Sequence, residues 1–157
     1  MPAWQLEVIT PQDLDGILTI DYLAFKRPWN RNLFLEELAC DNAFSYSVRC
    51  NQTDQSPAII AYVFWRIVLT ELHIIRIAVA QNFRSRGLAT WLLQQCFKLA
   101  KQKKDFDSVY IEVRPSNKAA IALYRKLGFQ VIGTRPNYYP ESNEEALVMK
   151  KQIKESI

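Results

Sequence analysis

Residues 82–100 of this 157-residue chain are "NFRSRGLATWLLQQCFKLA". Arg84 and Arg86 stand directly before Gly87, and apolar residues then recur at helical spacing from Leu88 to Leu99. A helix N-terminus presents unpaired N–H groups and about half a positive charge. Arginines at this point therefore predict a site for a strongly anionic ligand. A charged loop that uses a glycine only for its turn is the alternative interpretation.

The loop "RSRGLA", residues 84–89, differs from two common phosphate-binding motifs. It has no Lys-Ser/Thr pair, which the Walker A motif requires, and it lacks the second glycine of GxGxxG. Successive N–H groups around Gly87, together with the helix dipole, nevertheless suit a pyrophosphate.

Composition indicates one soluble globular domain over residues 1–157, since 49% of the residues are apolar and 23% are charged. The N-terminus has no signal-peptide pattern. The longest apolar stretch, residues 58–69, contains Arg66 and is shorter than the roughly 20 residues of a membrane span. Three widely spaced cysteines and a single histidine disfavour a disulfide framework and a zinc site. We expect a reduced, cytoplasmic protein with no membrane association and no metal.

The net charge of +4 is unevenly distributed along the chain. Residues 1–75 contain 5 Lys/Arg and 9 Asp/Glu, whereas residues 76–157 contain 15 Lys/Arg and 7 Asp/Glu. This distribution indicates either chance scatter over solvated faces, or a basic half that meets a polyanion and an acidic half that meets a cationic partner.

Hydrophobic periodicity predicts the element order βααβββαβαββ, an α/β fold with a mixed central sheet and helices on both faces. The first predicted helix spans 11–25, with apolar positions at Leu14, Ile17, Leu18, Tyr22 and Phe25. Asn30 is predicted to cap the second helix, and Gly128 to end the last one, which starts at 115–117. The other predictions are strands at 4–10, 43–50, 58–69, 71–80 and 108–114, a helix from 88, a hairpin loop at 51–57, and a final strand pair, 129–134 and 144–151, around a tyrosine-containing loop.

The segment "IRIAVAQNFRSRGLA" (75–89), followed by "YIEVRPSNKAAIALYRKLGF" (110–129), resembles the GNAT family of acetyl-CoA-dependent N-acetyltransferases. The family loop Arg/Gln-x-x-Gly-x-Gly/Ala is met by Arg84, Gly87 and Ala89. The resemblance implies the GNAT fold and acetyl-CoA as cosubstrate. It assigns the coenzyme A pyrophosphate to Arg84, Ser85, Arg86, Gly87, Leu88, Ala89 and Thr90, and the pantetheine arm to Ile77, Ala78, Val79 and Asn117. From the residues alone, Asn117 is equally an ordinary helix N-cap.

Three stretches resemble, within that family, the ribosomal-protein-alanine N-acetyltransferases (the RimI type): "PWN" (28–30), "IEVRPSNKAAIALYRKLGF" (111–129) and "RPNYYPESNEEALVMK" (135–150). The resemblance implies acetyl transfer to the N-terminal α-amine of a protein, an alanine of a small-subunit ribosomal protein, by direct attack in a ternary complex. No direct contact with nucleic acid is expected, and RNA binding through the basic half is the alternative. The alternatives are a lysine or small-polyamine acetyltransferase of the same fold, and a non-catalytic acyl-CoA-binding or ribosome-associated module.

The acceptor side is predicted from aromatic and charged residues. The resemblance places loop aromatics beside the peptide groove, whereas the residues alone also allow them to cover a core edge: they are Trp29, Tyr138 and Tyr139. Four acidic residues on this side either attract a basic peptide or are ordinary solvated charges. These residues are Glu36, Glu37, Glu144 and Glu145. Arg76 would oppose a basic acceptor if it faced the groove.

Glu112 is the candidate general base. In "VYIEV", residues 109–113, strand alternation puts the three aliphatic side chains on one face and Glu112 on the other. A carboxylate in a buried strand is costly without a partner or a function. The residues alone allow a salt bridge to Arg114 or Arg76, and the resemblance implies the catalytic base.

Tyr124 is the candidate general acid. From the residues alone it is a packed aromatic with its hydroxyl at the rim, and the resemblance implies that it protonates the coenzyme A thiolate. A strand N–H near Val79 is expected to bind the oxyanion. His73 is predicted to be a half-buried strand residue and Cys96 a core residue, so no acyl-cysteine intermediate is expected.

Overall fold

A computed structural model describes residues 4–50, 58–139 and 144–153, with only the backbone of 137–139 and 144. The predicted element order is confirmed. The strands are β1 (Trp4–Val8), β2 (Ala43–Cys50), β3 (Ala58–Val68), β4 (Glu71–Val79), β5 (Ser108–Val113), β6 (Gln130–Tyr139) and β7 (Glu144–Gln152). The helices are α1 (Leu14–Ala24), α2 (Arg31–Leu38), α3 (Leu88–Lys103) and α4 (Lys118–Lys126), with short 3₁₀ turns at Pro11–Asp13 and Gln81–Phe83. The predicted hairpin loop at 51–57 lies outside the described residues.

The strands form a seven-stranded sheet in the order β1-β2-β3-β4-β5-β7-β6. The β4–β5 pair is parallel, from Glu71 opposite Ser108 to Ile74 opposite Ile111. The pairs β1–β2, β2–β3, β5–β7 and β6–β7 are antiparallel. The sheet is therefore mixed, as the element order predicts. Within the described residues, no helix is long and apolar enough to span a membrane.

The chain divides into two compact units, and each is described by itself. The first unit comprises residues 1–66 and 76–98, and the second comprises 67–75 and 99–157. The largest fully buried side chains of the first unit, among the described residues, are aromatic and are Phe34, Tyr62, Phe64 and Trp65. Aromatic rings from α2 and β3 meet there, with centroids of Phe34 and Phe64 5.3 Å apart.

The buried face of α1 differs from the prediction. The sequence predicts Tyr22 on the apolar face, but Tyr22 is 73% exposed, whereas Asp21 is fully buried with Leu14, Ile17 and Ile20. Helical spacing permits either face, because position 21 follows Ile17 by one turn just as position 22 follows Leu18. Burial of Asp21 is tolerated because it accepts hydrogen bonds from Arg76, Tyr62 and the Trp29 backbone.

The second unit is built on β5, whose alternation is confirmed. Val109, Ile111 and Val113 are buried, and Glu112 on the opposite face is half-buried. Across the sheet Glu112 lies opposite Val148 of β7. Strand alternation thus places the candidate base on the accessible face of a core strand.

Strand β6 is longer than predicted, because it continues through Pro136 to Tyr139. The tyrosines assigned to a loop, Tyr138 and Tyr139, therefore have strand backbones, and their side chains lie outside the described residues. A proline lacks an N–H, which an edge strand tolerates. Here β6 is the last strand of the sheet, and its register with β7 shifts between Arg135 and Tyr139.

Candidate active site

The turn between β4 and α3, in the first unit, has the backbone of an anion-binding loop. Ser85 and Gly87 have left-handed φ angles of 62° and 80°. The Gly87 carbonyl accepts a hydrogen bond from the Trp91 N–H at 3.0 Å, so Gly87 stands at the N-cap of α3. Glycine adopts a positive φ without the cost that a side chain brings. The prediction of a helix that begins directly after Gly87 is confirmed.

The first N–H groups of α3 have no acceptors within the helix, because no helical residues precede them. They belong to Leu88, Ala89 and Thr90. A Cβ added at Gly87 would meet no protein atom within 4 Å, so the backbone is open to a ligand at this point. Open N–H groups at the positive end of a 16-residue helix are suited to a diphosphate. The coenzyme A pyrophosphate fits these residues.

The two loop arginines serve different roles in the structure. Arg84 is exposed, but its Nε donates to the Val79 carbonyl at 3.1 Å, which ties the loop to the end of β4. Arg86 is also exposed, and its guanidinium lies 5.2 Å from the Phe83 ring centroid. Both charges lie beside the N-terminus of α3, where they reinforce its attraction for an anion. Ile77, Ala78 and Val79 form the last residues of β4 that lead into this loop.

Arg76 precedes that strand segment, and its charge is compensated. It forms an ion pair with Asp21 of α1 at 2.6 Å, and only 12% of its side chain is exposed. Arg76 is therefore not a free charge that opposes a basic acceptor, contrary to the concern raised by the sequence. This pair also excludes Arg76 as the partner of Glu112.

The predicted acceptor residues of the first unit are partly engaged in the core. The Trp29 ring is half-buried and packs 5.1 Å from Phe34 and 6.4 Å from Phe64. Glu37 is buried and accepts two hydrogen bonds from Arg66, at 2.7 and 2.6 Å. The prediction that Glu37 attracts a basic peptide is therefore wrong. Glu36 and Glu145 are exposed, and the side chain of Glu144 lies outside the described residues.

Glu112, in the second unit, forms an ion pair that the sequence did not predict. Its partner is Arg135 of β6, with Nε 3.0 Å from the carboxylate. Glu112 has 25% of its side chain exposed and Arg135 has 61%, so solvent reaches both groups. An ion pair to an exposed arginine is weak, so the Glu112 carboxylate is held only loosely by Arg135.

Tyr124 is held by the end of α4. The Phe129 N–H donates to the Tyr124 carbonyl at 2.9 Å and the Gly128 N–H to the Arg125 carbonyl at 3.0 Å. With Gly128 at a φ of 99°, this is a Schellman motif. Its hydrophobic contact is between Tyr124 and Phe129, whose ring centroids are 5.8 Å apart. The sequence "YRKLGF" thus fixes the position of Tyr124, whose ring is packed as predicted and which is 6% exposed.

Asn117 begins α4, as the sequence predicts. Its Oδ1 accepts the Ala120 N–H at 3.2 Å, and its carbonyl accepts the Ile121 N–H at 3.1 Å. Because Oδ1 is used by the cap, the Nδ2 group is the side-chain atom left for a pantetheine carbonyl. The N-cap role is confirmed, and the cofactor role stays a prediction.

The residues predicted to be outside the chemistry are packed into the two units. His73 is half-buried, and its ring stacks on Tyr110 at 5.1 Å. Cys96 is fully buried, and burial raises the pKa of its thiol to about 12, so it is a poor nucleophile. In the described part of the chain, no group of three His, Cys, Asp or Glu residues could hold a metal ion.

Sequence reasoning missed Asp21 and Arg135. Asp21 gave one signal, since a carboxylate one turn after Ile17 interrupts an otherwise apolar stripe. Arg135 gave none, because its contact with Glu112 depends on the register of β6 and β7. Both are charged partners supplied by distant parts of the chain.

The sequence profile of the acetyltransferase (GNAT) family matches residues 14–129. A ribosomal protein bS18-alanine N-acetyltransferase of Escherichia coli strain K12 is 31% identical over 139 residues, 87% of this chain and 89% of that protein. An N-alpha-acetyltransferase of Sulfurisphaera tokodaii is 30% identical over 87% of this chain and 86% of its own. The crystal structure of the ribosomal-protein-S18-alanine N-acetyltransferase from Escherichia coli aligns with a TM-score of 0.84 at 26% identity, covering 99% of this chain and 97% of that one. The chain therefore belongs to the acetyltransferase (GNAT) family.

Proposed function

We propose that this protein transfers the acetyl group of acetyl-CoA to the N-terminal α-amine of a protein. The observation that carries the proposal is the open α3 N-terminus at Gly87, which suits the diphosphate of the donor in a chain of this family. The acceptor class is supported by relatives that are named α-amine acetyltransferases and match most of the chain. The N-terminal alanine of a small-subunit ribosomal protein is the acceptor that we propose within this class.

The chemistry needs a base for the amine and an acid for the thiolate. An α-amine with a pKa near 8 is only about one-tenth neutral at pH 7. Glu112 removes a proton from the ammonium group, directly or through a water. The neutral nitrogen then forms a bond to the thioester carbonyl carbon as the carbon–sulfur bond breaks, and Tyr124 gives its proton to the departing sulfur. The nitrogen loses its second proton to water and Tyr124 regains a proton from water, so the products are the acetylated N-terminus and the free thiol of coenzyme A. A main-chain N–H near Val79 stabilises the oxyanion.

In this proposal the turn around Gly87 binds the diphosphate of the donor, Asn117 bonds its pantetheine arm, and Trp29 lies on the acceptor side. We also propose that the whole chain is one domain, since the family match includes residues of both units. A single unfolding transition in urea, seen by both fluorescence and circular dichroism, tests this.

Two peptides test the acceptor class. The first begins with a free alanine and contains no lysine. The second has the same sequence except that its N-terminus is blocked and one residue is replaced by lysine. Release of free thiol and mass spectrometry report acetylation, and we expect the free-amine peptide to be preferred. Preference for the blocked peptide assigns the protein to lysine acetylation, and acetyl-CoA binding without any turnover leaves a binding module.

Substitutions test the roles of the second unit. We expect Glu112→Gln and Tyr124→Phe each to lower turnover about a hundredfold or more with little change in acetyl-CoA affinity. Tyr110→Phe is the matched control, because Tyr110 is a tyrosine of the same unit that is half-buried and stacks on His73. Normal turnover in both test variants would refute the acid–base assignment.

A further inference from the structure

Asp21 is a buried carboxylate with all of its acceptor positions used. Its Oδ1 accepts from Arg76 Nε at 2.6 Å and from the Tyr62 hydroxyl, and its Oδ2 accepts from Arg76 Nη2 at 3.0 Å. Oδ2 also accepts the backbone N–H of Trp29 at 2.8 Å. A fully buried charge is tolerated only with such partners. The network joins α1, β3 and β4 to the segment between α1 and α2.

Arg76 is enclosed by that segment, residues 25–30. Its guanidinium carbon lies 3.7 Å from the Phe25 ring centroid and 4.9 Å from the Trp29 ring centroid. Its Nη2 donates to the Arg27 carbonyl at 3.3 Å. One guanidinium therefore contacts two rings and one carbonyl of the segment, while its partner Asp21 binds a segment N–H.

These contacts fix the segment's backbone as well as its side chains. Apolar packing of Trp29 on Phe34 and Phe64 fills space but has no preferred direction. Hydrogen bonds to the Trp29 N–H and the Arg27 carbonyl are directional, and those to charged groups are about twice as strong as neutral ones. Tyr62 keeps its proton, because burial and the Asp21 carboxylate raise its pKa, so it always donates to the network.

The pair also lies beside the donor strand. Arg76 directly precedes Ile77, the first of the three residues proposed to bond the pantetheine arm. A shift of Asp21 or Arg76 would therefore move residues 25–30 relative to the end of β4, both within the first unit.

We infer that Asp21 and Arg76 are positioning residues for the acceptor, which hold residues 25–30 and Trp29 in the conformation that binds the N-terminal peptide. This inference rests on the proposed function, because it assigns the acceptor side to Trp29. The pair acts through the segment and does not itself touch the reacting atoms. Its loss raises the acceptor KM and leaves the acetyl-CoA KM unchanged.

Steady-state rates with Arg76→Lys and Asp21→Asn test the inference. Lysine cannot reproduce the two parallel bonds of a guanidinium. At saturating acetyl-CoA we expect the acceptor KM to rise about tenfold, since a hydrogen bond to a charged group is lost. At saturating acceptor we expect the acetyl-CoA KM to stay within about twofold of its value in the unmodified protein. This change is smaller than the change in KM that the loss of one hydrogen bond to acetyl-CoA would cause. Phe25→Leu is a milder variant that weakens the enclosure without leaving a buried charge unpaired.

Limited trypsin digestion measures the segment directly, because Lys26 is exposed within it. We expect faster cleavage after Lys26 in the test variants. Arg49→Lys is the matched control, since Arg49 pairs with Asp13 at 2.5 Å in the same unit and thereby anchors the turn before α1 instead of the segment after it.

The possible outcomes separate the inference from the proposed function. A lower melting temperature with unchanged acceptor KM and unchanged cleavage would overturn the inference, as would an equal effect of Arg49→Lys. Failure of the unmodified protein to acetylate any α-amine would instead refute the proposed function. In that case the digestion still tests the anchoring of the segment. Cleavage after Lys26 that is as slow in Arg76→Lys and Asp21→Asn as in the unmodified protein would refute the anchoring as well.

Discussion

Gly87→Ala tests the donor site most directly, because its effects on stability and on binding have separate causes. The new Cβ would meet no protein atom within 4 Å, so no steric clash arises in the free protein. The φ of 80° is unfavourable for alanine, which costs roughly 1–2 kcal/mol. For a chain of this length we expect the melting temperature to fall by about 2–8 °C.

The effect on binding arises only if a ligand occupies the open space beside Gly87. A methyl group there separates a bound diphosphate from the backbone N–H groups of α3. The loss of one hydrogen bond to a charged group corresponds to about ten- to hundredfold weaker binding. Titration calorimetry with acetyl-CoA measures the Kd, and thermal unfolding measures the stability.

Gly133→Ala is the matched control for Gly87→Ala. A methyl group at Gly133 of β6 would also meet no atom within 4 Å, and the φ of Gly133 is not positive. We expect an unchanged Kd and a melting temperature that is equal or slightly higher, since alanine restricts the unfolded chain. A Gly87→Ala variant that unfolds earlier but binds acetyl-CoA with normal affinity would show that the diphosphate is not held beside Gly87.

Three further predictions concern the acid, a buried thiol and the charges. Gly128→Ala should lower both stability and kcat, because it strains a φ of 99° and loosens the Schellman motif that holds Tyr124; thermal unfolding and steady-state rates measure both. The free energy of unfolding should fall as pH rises above about 9, since the unfolded chain loses a thiol proton that native Cys96 retains up to a pKa of about 12. Urea melts of Cys96→Ala at about pH 8 and about pH 10 should show a smaller fall. Raising NaCl from about 50 mM to about 500 mM should increase the acetyl-CoA KM more than the acceptor KM, because screening weakens exposed charges such as Arg84 and Arg86.

The sequence was sufficient to predict the elements because their signals are local. Asn30 accepts the Leu33 N–H at 2.9 Å, and Asn117 caps α4 in the same way. Gly87 and Gly128 occupy the two positive-φ positions at which a helix begins or ends. Each of these features depends on residues that lie within about one helical turn along the chain, so the local sequence is enough to predict it.

The partners of charged residues could not be predicted because they depend on tertiary structure. Arg76 and Asp21 are 55 residues apart in the chain, and their contact requires α1 to present the face that contains Asp21. An apolar-stripe argument favours Tyr22 over Asp21 at that turn, and it fails because a buried carboxylate with enough donors is stable. The extension of β6 through Pro136 has a similar origin, since only the position of β6 at the sheet edge makes a proline acceptable there.

The uneven charge of the two halves acquires a physical meaning from these pairs. Three carboxylates of the acidic half are neutralised by arginines inside the protein: Asp13, Asp21 and Glu37 pair with Arg49, Arg76 and Arg66. The loop arginines Arg84 and Arg86 remain exposed beside the α3 N-terminus. Positive charge is therefore available beside Gly87 to attract an anionic donor. On the acceptor side, Glu36 and Asp41 of the first unit are exposed, so charge alone could attract many basic peptides. Under the proposed function we expect the shape of the segment around Trp29 to add the selectivity that charge lacks, which is why its anchoring by Asp21 and Arg76 is the feature to test.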